Sequence, residues 1–100
     1  MIRGTTPTHK FDIPFNTSVI KEVKITYAQN NEAVVEKKTS DCKLVDQTIS
    51  VTLTQEDTFK FDCKKPVEIQ VRILTFNGDA LSTVPQIVGV CKCLDNEVLK

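Results

Sequence analysis

Residues 67–73 read Val-Glu-Ile-Gln-Val-Arg-Ile, a strict alternation of β-branched and polar side chains. Successive side chains of a β-strand point to opposite faces. Val67, Ile69, Val71 and Ile73 therefore share one face, and Glu68, Gln70 and Arg72 the other. One face must meet a core and the other water. The same period recurs in Val23/Ile25/Tyr27 and in Ile49/Val51/Leu53. Such a chain is constrained to fold as antiparallel sheets packed on one another.

Composition points the same way. Val, Ile and Thr supply 32 of the 100 residues, against 9 for Leu plus Ala. β-Branched side chains suit a pleated surface and lose rotamer freedom in helices. The length predicts one domain spanning residues 1–100, which buries roughly two-thirds of its unfolded surface. Thirteen basic and thirteen acidic residues cancel and lie scattered. Nucleic acid and anionic membrane surfaces are disfavoured as partners, because both select clustered Lys and Arg. Lys37-Lys38 and Lys64-Lys65 are short runs flanked by acids and read as solvated charges. No apolar h-region follows Met1 and no apolar run approaches a membrane span. The chain is expected to be soluble and to start in the cytoplasm, without a signal peptide.

The spacing predicts about seven strands. Thr8–Ile13 forms the first, closed by Pro14, and Asn16-Thr17-Ser18 caps a helical turn. Glu22–Gln29 and Glu32–Thr39 flank an Asn30-Asn31 turn, with alternation lost at Val34-Val35. Cys42–Val45 and Thr48–Thr54 follow, turning at Asp46-Gln47. Thr54-Gln55-Glu56-Asp57 has the form of a capped helical turn, with Phe59 and Phe61 anchoring the crossover. Val67–Phe76 then leads into Asn77-Gly78, the strongest hairpin signal. The seventh strand starts near Ala80 and is interrupted at Pro85, which predicts a bulge or a break at a sheet edge. Its second piece runs from Ile87 to Leu94, with Gly89 a site for a bulge or close backbone approach. The expected fold is a single all-β, immunoglobulin-like antiparallel β-sandwich with one or two short helical turns. A barrel is the alternative.

Little of the chemistry needed for catalysis is visible. The sole histidine, His9, sits in the first strand with no nearby nucleophile, and reads as a partly exposed strand residue. Glu56-Asp57 and Asp95/Glu97 stand where a helix start and a turn use acids structurally. Gly4, Gly78 and Gly89 are too far apart to cradle a phosphate. For Cys42, Cys63, Cys91 and Cys93 three readings stay open: buried or half-buried free thiols, a disulfide, or a metal site built on Cys91-Lys92-Cys93 with His9. Phe15, Phe76 and Tyr27 are the only rings that could line a sugar-binding rim, and Phe15 and Phe76 read as core. No catalytic, cofactor-binding or metal-ligating residue is assigned, and no cofactor is expected. A small-molecule ligand is disfavoured. The chain reads as a binding or structural module.

Several phrases carry a resemblance. They are Met-Ile-Arg-Gly-Thr-Thr-Pro-Thr at the start, Phe-Asp-Ile-Pro-Phe at 11–15 and Val-Lys-Ile-Thr-Tyr-Ala-Gln-Asn-Asn at 23–31. Val-Thr-Leu-Thr-Gln-Glu-Asp-Thr at 51–58, Val-Glu-Ile-Gln-Val-Arg-Ile-Leu-Thr at 67–75 and Asn-Gly-Asp-Ala-Leu at 77–81 belong with them. Over nearly its full length the chain resembles small prophage-encoded proteins found among tail and structural genes of phages of Gram-positive bacteria. More distantly it is similar to the N-terminal β-sandwich of the upper baseplate protein family. The resemblance implies a non-enzymatic virion structural or assembly accessory protein, whose partners are other phage structural proteins or further copies of itself. It carries over no site residues. The edges offered for such contacts are Glu32–Thr39 and the Pro85-interrupted piece. An adhesive, carbohydrate-binding module is the first alternative and a thiol-based metal-binding protein the second.

Overall fold

The computed structural model describes residues 1–100. Its strands are β1 (Thr8–Asp12), β2 (Ile20–Gln29), β3 (Glu32–Lys38), β4 (Cys42–Val45), β5 (Thr48–Thr52), β6 (Val67–Thr75), β7 (Ala80–Ser82) and β8 (Gln86–Val88). They form two antiparallel sheets, one in the order β1-β5-β4 and the other β3-β2-β6-β7, with β8 also paired to β6. The chain changes sheet after β1, after β3 and after β5. That crossing pattern is the Greek key of an immunoglobulin-like sandwich.

The alternation read from the sequence decides what lies between the sheets. Val67, Ile69, Val71 and Ile73 are all buried, as are Val23, Ile25 and Tyr27 from the neighbouring strand. Phe11, Ile49, Val51 and Leu53 face them from the other sheet in one continuous core. Burying each such side chain contributes about 1.5–3 kcal/mol, the main term holding the layers together.

The turns follow their residue types. Asn30 and Asn31 both take positive φ, 53° and 64°, the geometry that a two-residue hairpin needs and that Asn tolerates. Val34 is the extra residue of a bulge, since Tyr27 pairs with Val35 and Ala28 with Ala33. Alternation fails at Val34-Val35 for that reason. A 3₁₀ turn at Thr17–Val19 is capped by Asn16, whose Oδ1 accepts from the Ser18 N–H at 2.9 Å. The second strand starts at Ile20, two residues before the expected Glu22. A second 3₁₀ turn, Thr39–Asp41, joins β3 to β4.

The crossover from β5 to β6 contains α1 (Gln55–Phe59). Thr54 Oγ1 accepts from the Asp57 N–H at 3.1 Å, and Asp57 Oδ2 accepts from the Thr54 N–H at 2.9 Å. This reciprocal capping box fixes a helix too short to persist alone. Phe61 is fully buried and Phe59 partly so. Arg3 lies over the Phe59 ring, 5.5 Å from its centroid, and donates from Nη2 to the Phe59 carbonyl at 2.9 Å.

Three expectations need correction. The seventh strand breaks at Pro85 as expected, but its second piece is Gln86–Val88 and does not reach Leu94. Only an isolated parallel bridge, Ile2 to Cys91, continues the pairing beyond it. Phe76 is not core: β6 ends at Thr75, and the ring stands 70% exposed on the hairpin. Gly89 is not required by close packing, because a Cβ there would meet nothing within 4 Å and the Met1 ammonium approaches only its carbonyl, at 2.9 Å.

Candidate functional site

Polar groups inside the sandwich gather at two places. The register places His9 and Cys42 on either side of buried Val51, all on the inward face of the β1-β5-β4 sheet. Tyr27 meets them from the opposite sheet, its hydroxyl 2.7 Å from His9 Nδ1 and its ring tilted against the imidazole. His9 is the partly exposed strand residue the sequence predicts, half-buried in β1, and the structure adds its bond to Tyr27. Burial, and then the nearby Met1 ammonium, push the His9 pKa down, so the imidazole is held neutral. Burial pushes the Tyr27 phenol up, with Cys42 and Asp57 adding to it. Burial and Asp41 push the Cys42 thiol up, against the pull of Lys37. A nucleophilic cysteine needs the opposite shift, toward thiolate. Tyr27 and Cys42 keep their protons and His9 stays neutral, a set of uncharged groups that suits packing.

Opposite buried Ile25, Lys37 also faces inward and reaches Asp57 of α1 at 2.7 Å. Glu56 stays exposed, and Asp95 Oδ1 accepts from the Glu97 N–H at 2.9 Å. These acids cap a helix and a turn.

All four cysteines are free thiols: Cys42, Cys63 and Cys93 are half-buried and Cys91 is exposed. Cys91 and Cys93 do not lie on a strand, since Cys91 is a single bridge residue and 92–94 are irregular. No three His, Cys, Asp or Glu side chains converge as metal ligands. Of the three rings offered for a sugar rim, Tyr27 is fully buried, Phe15 packs partly against the core and only Phe76 stands free.

The surface feature that stands out is the outer edge of the β3-β2-β6-β7 sheet. From Ala80 to Cys91 the chain has no charged residue. Thr83 donates its N–H to the Val71 carbonyl at 2.9 Å, and Gln86 is the register partner of Ile69. β6 thus advances two residues while its partner advances three, a bulge at Val84-Pro85. The Thr83 hydroxyl repairs the ladder by accepting the Val71 N–H at 3.0 Å. Leu81, Val84 and Ile87 are exposed by 44%, 83% and 71%. The opposite edge, β3, is bulged and bears Glu32, Glu36 and Lys38, the charges by which natural edges repel unwanted strands.

Both edges were legible as such, from the lost alternation at Val34-Val35 and from Pro85. The gap in charge between Asp79 and Lys92 separates them, and it is written in the sequence as well. The pairings of His9 with Tyr27 and of Lys37 with Asp57 join distant segments and left no local signal. No helix is long and apolar enough to cross a membrane. No family model, curated protein or solved structure matches the chain.

Proposed function

We propose that this chain is a non-enzymatic docking module that joins a neighbouring protein by strand addition along the β7–β8 edge, as an assembly or accessory component of a phage particle. The uncharged, apolar edge carries the proposal. An edge strand turns a row of backbone N–H and C=O groups outward, and a second chain can complete them. Here Leu81, Val84 and Ile87 add apolar area to that row, and no charge opposes the approach. The resemblance to prophage-encoded structural proteins supports the particle setting. The bonding of the only histidine to a buried phenol supports a role without catalysis.

Val84→Lys tests the reading, because it restores a charge at the bulge without touching the core. Particles purified from an induced host are expected to contain the wild-type chain and to lack the variant, with both folding equally by circular dichroism. Absence of the wild-type chain from particles, or equal incorporation of Val84→Lys, would overturn it.

A further inference from the structure

We infer that the Ala80–Ser82 edge accepts an extended acidic segment of a partner protein, with a carboxylate side chain opposite Ser82. The inference rests on the docking edge proposed above and names the chemistry of what docks there.

The register places Lys38, Lys24, Arg72 and Ser82 in one transverse row across β3, β2, β6 and β7. All four are exposed, on the face away from the buried Val23/Ile25 and Val71/Ile73 positions. Like charges directly opposite one another destabilise a sheet, so three cations in one row work against the fold. Lys24 is relieved by Glu36 at 3.6 Å. Neither Lys38 nor Arg72 forms an ion pair. Glu22, in the adjoining row, lines the same surface but pairs with neither.

These cations border a shallow hollow of about 620 Å³ whose far rim is Ala80 and Leu81 of the edge strand itself. The row therefore runs out at the docking edge, and it ends in the smallest side chain of the four. Strands lie about 4.8 Å apart, so a residue opposite Ser82 on an added strand sits roughly 10 Å from the Arg72 backbone. An arginine and a glutamate side chain together span that gap, and Ser82 leaves the path between them open. Of the edge's own acids, Asp79 precedes β7, and Glu68 lies at the far end, opposite Ile87 in β8. Selection for acid is thus confined to the β7 half. A second copy of this edge does not meet the requirement, because residues 80–91 contain no carboxylate.

The register also supplies a control. Thr83 turns its N–H toward β6, so the N–H of Ser82 points outward, and Ser82→Pro removes a donor to an added strand without breaking the sheet. The test is fluorescence anisotropy of the full chain with labelled decapeptides of alternating Thr-Glu, Thr-Gln and Thr-Lys. Alternation places every charged side chain on one face whatever the register. Thr-Glu is expected to bind about tenfold more tightly than Thr-Gln, with Thr-Lys weakest, as charge-assisted pairing predicts. Arg72→Gln is expected to bring Thr-Glu and Thr-Gln within about twofold of each other, with an unchanged melting temperature, and Ser82→Pro to abolish both. Equal binding of Thr-Glu and Thr-Gln, both lost in Ser82→Pro, would overturn the acid preference and leave the docking edge standing. Thr-Glu binding that survives Ser82→Pro would overturn strand addition. Failure of all three peptides to bind would overturn the inference, while particle incorporation still decides the edge.

Discussion

Lys37 and Asp57 meet just inside one margin of the sandwich, Nζ to Oδ2 at 2.7 Å, with both side chains largely withdrawn from water. β3 supplies the cation and α1 the anion, so the contact ties the crossover helix to a sheet with which it shares no backbone ladder. Burial alone would raise the Asp57 pKa, but hydrogen bonds from Lys37 and Thr54 and the Lys37 charge together hold it below the usual carboxylate value. A folded-state value below the unfolded one contributes stability above about pH 4, lost as the pH falls through the folded value. Asp57→Asn leaves the Lys37 ammonium without its counter-charge, at a cost on the order of 3 kcal/mol near neutrality. Urea unfolding is expected to show the variant well below wild type at pH 7 and the two converging toward pH 2. A gap that stays constant over that range would contradict the assignment.

His9 gives the second pH dependence. Its folded pKa lies below the ordinary value near 6.5, so the unfolded chain takes up the proton first. Stability is then fully present above about pH 6.5 and declines as the pH falls through the folded value. His9→Gln removes this limb while leaving the one due to Asp57. Imidazole resonances followed by NMR are expected to titrate below 6.5. Tyr27→Phe leaves Nδ1 without its partner and costs about 1 kcal/mol. A His9 titrating at or above its ordinary value would refute the arrangement.

Local pattern made most of this fold readable, and the exceptions share a cause. The inward series Val67/Ile69/Val71/Ile73, the Asn30-Asn31 turn and the Thr54 capping box each depend on residues within a few positions of one another, and each stands where the sequence places it. Phe76 stands outside the core because it falls in phase with Glu68, Gln70 and Arg72 on the outward side of the alternation, and the Asn77-Gly78 turn ends β6 one residue before it. The segment after Val88 has apolar residues but pairs only at the single Ile2–Cys91 bridge. Its fixed points are contacts from Met1 and Arg3 and a two-way bond between the Gln55 amide and the Leu99 backbone. Neither is encoded near the residues it holds. At the candidate site the edge was visible through Pro85. The cation row needed the register of four strands, which periodicity does not supply.

The thiols are expected to separate by reactivity. Cys91 is exposed, whereas Cys42 is half-buried with its pKa pushed up by burial and Asp41. Thiolate is the reacting form, so a limiting dose of iodoacetamide at pH 8 should modify Cys91 first and Cys42 last. Peptide mass mapping at successive times reads the order. Cys42 labelling as fast as Cys91 in the folded chain would show that the β4 strand does not shelter it.

Gly4 and Gly78 offer the cleanest comparison, because they share a backbone conformation and differ in surroundings. Both take positive φ, 79° and 88°, where an L side chain is strained. A Cβ on Gly78 would meet nothing within 4 Å, so Gly78→Ala carries the backbone cost alone, about 1 kcal/mol. A Cβ on Gly4 would stand 2.6 Å from Phe59 Cζ. The ring cannot retreat freely, since Arg3 covers it and the Gly4 N–H is tied to Thr58 Oγ1 at 2.9 Å. Gly4→Ala is therefore expected to lose roughly 1–3 kcal/mol more than Gly78→Ala, the range for overpacking a filled site. Chemical denaturation of the two variants measures the difference. Adding Phe59→Leu to Gly4→Ala should recover part of the excess, because it removes the atoms the new methyl would strike. Equal losses at the two glycines would mean that the N-terminal segment does not dock against α1.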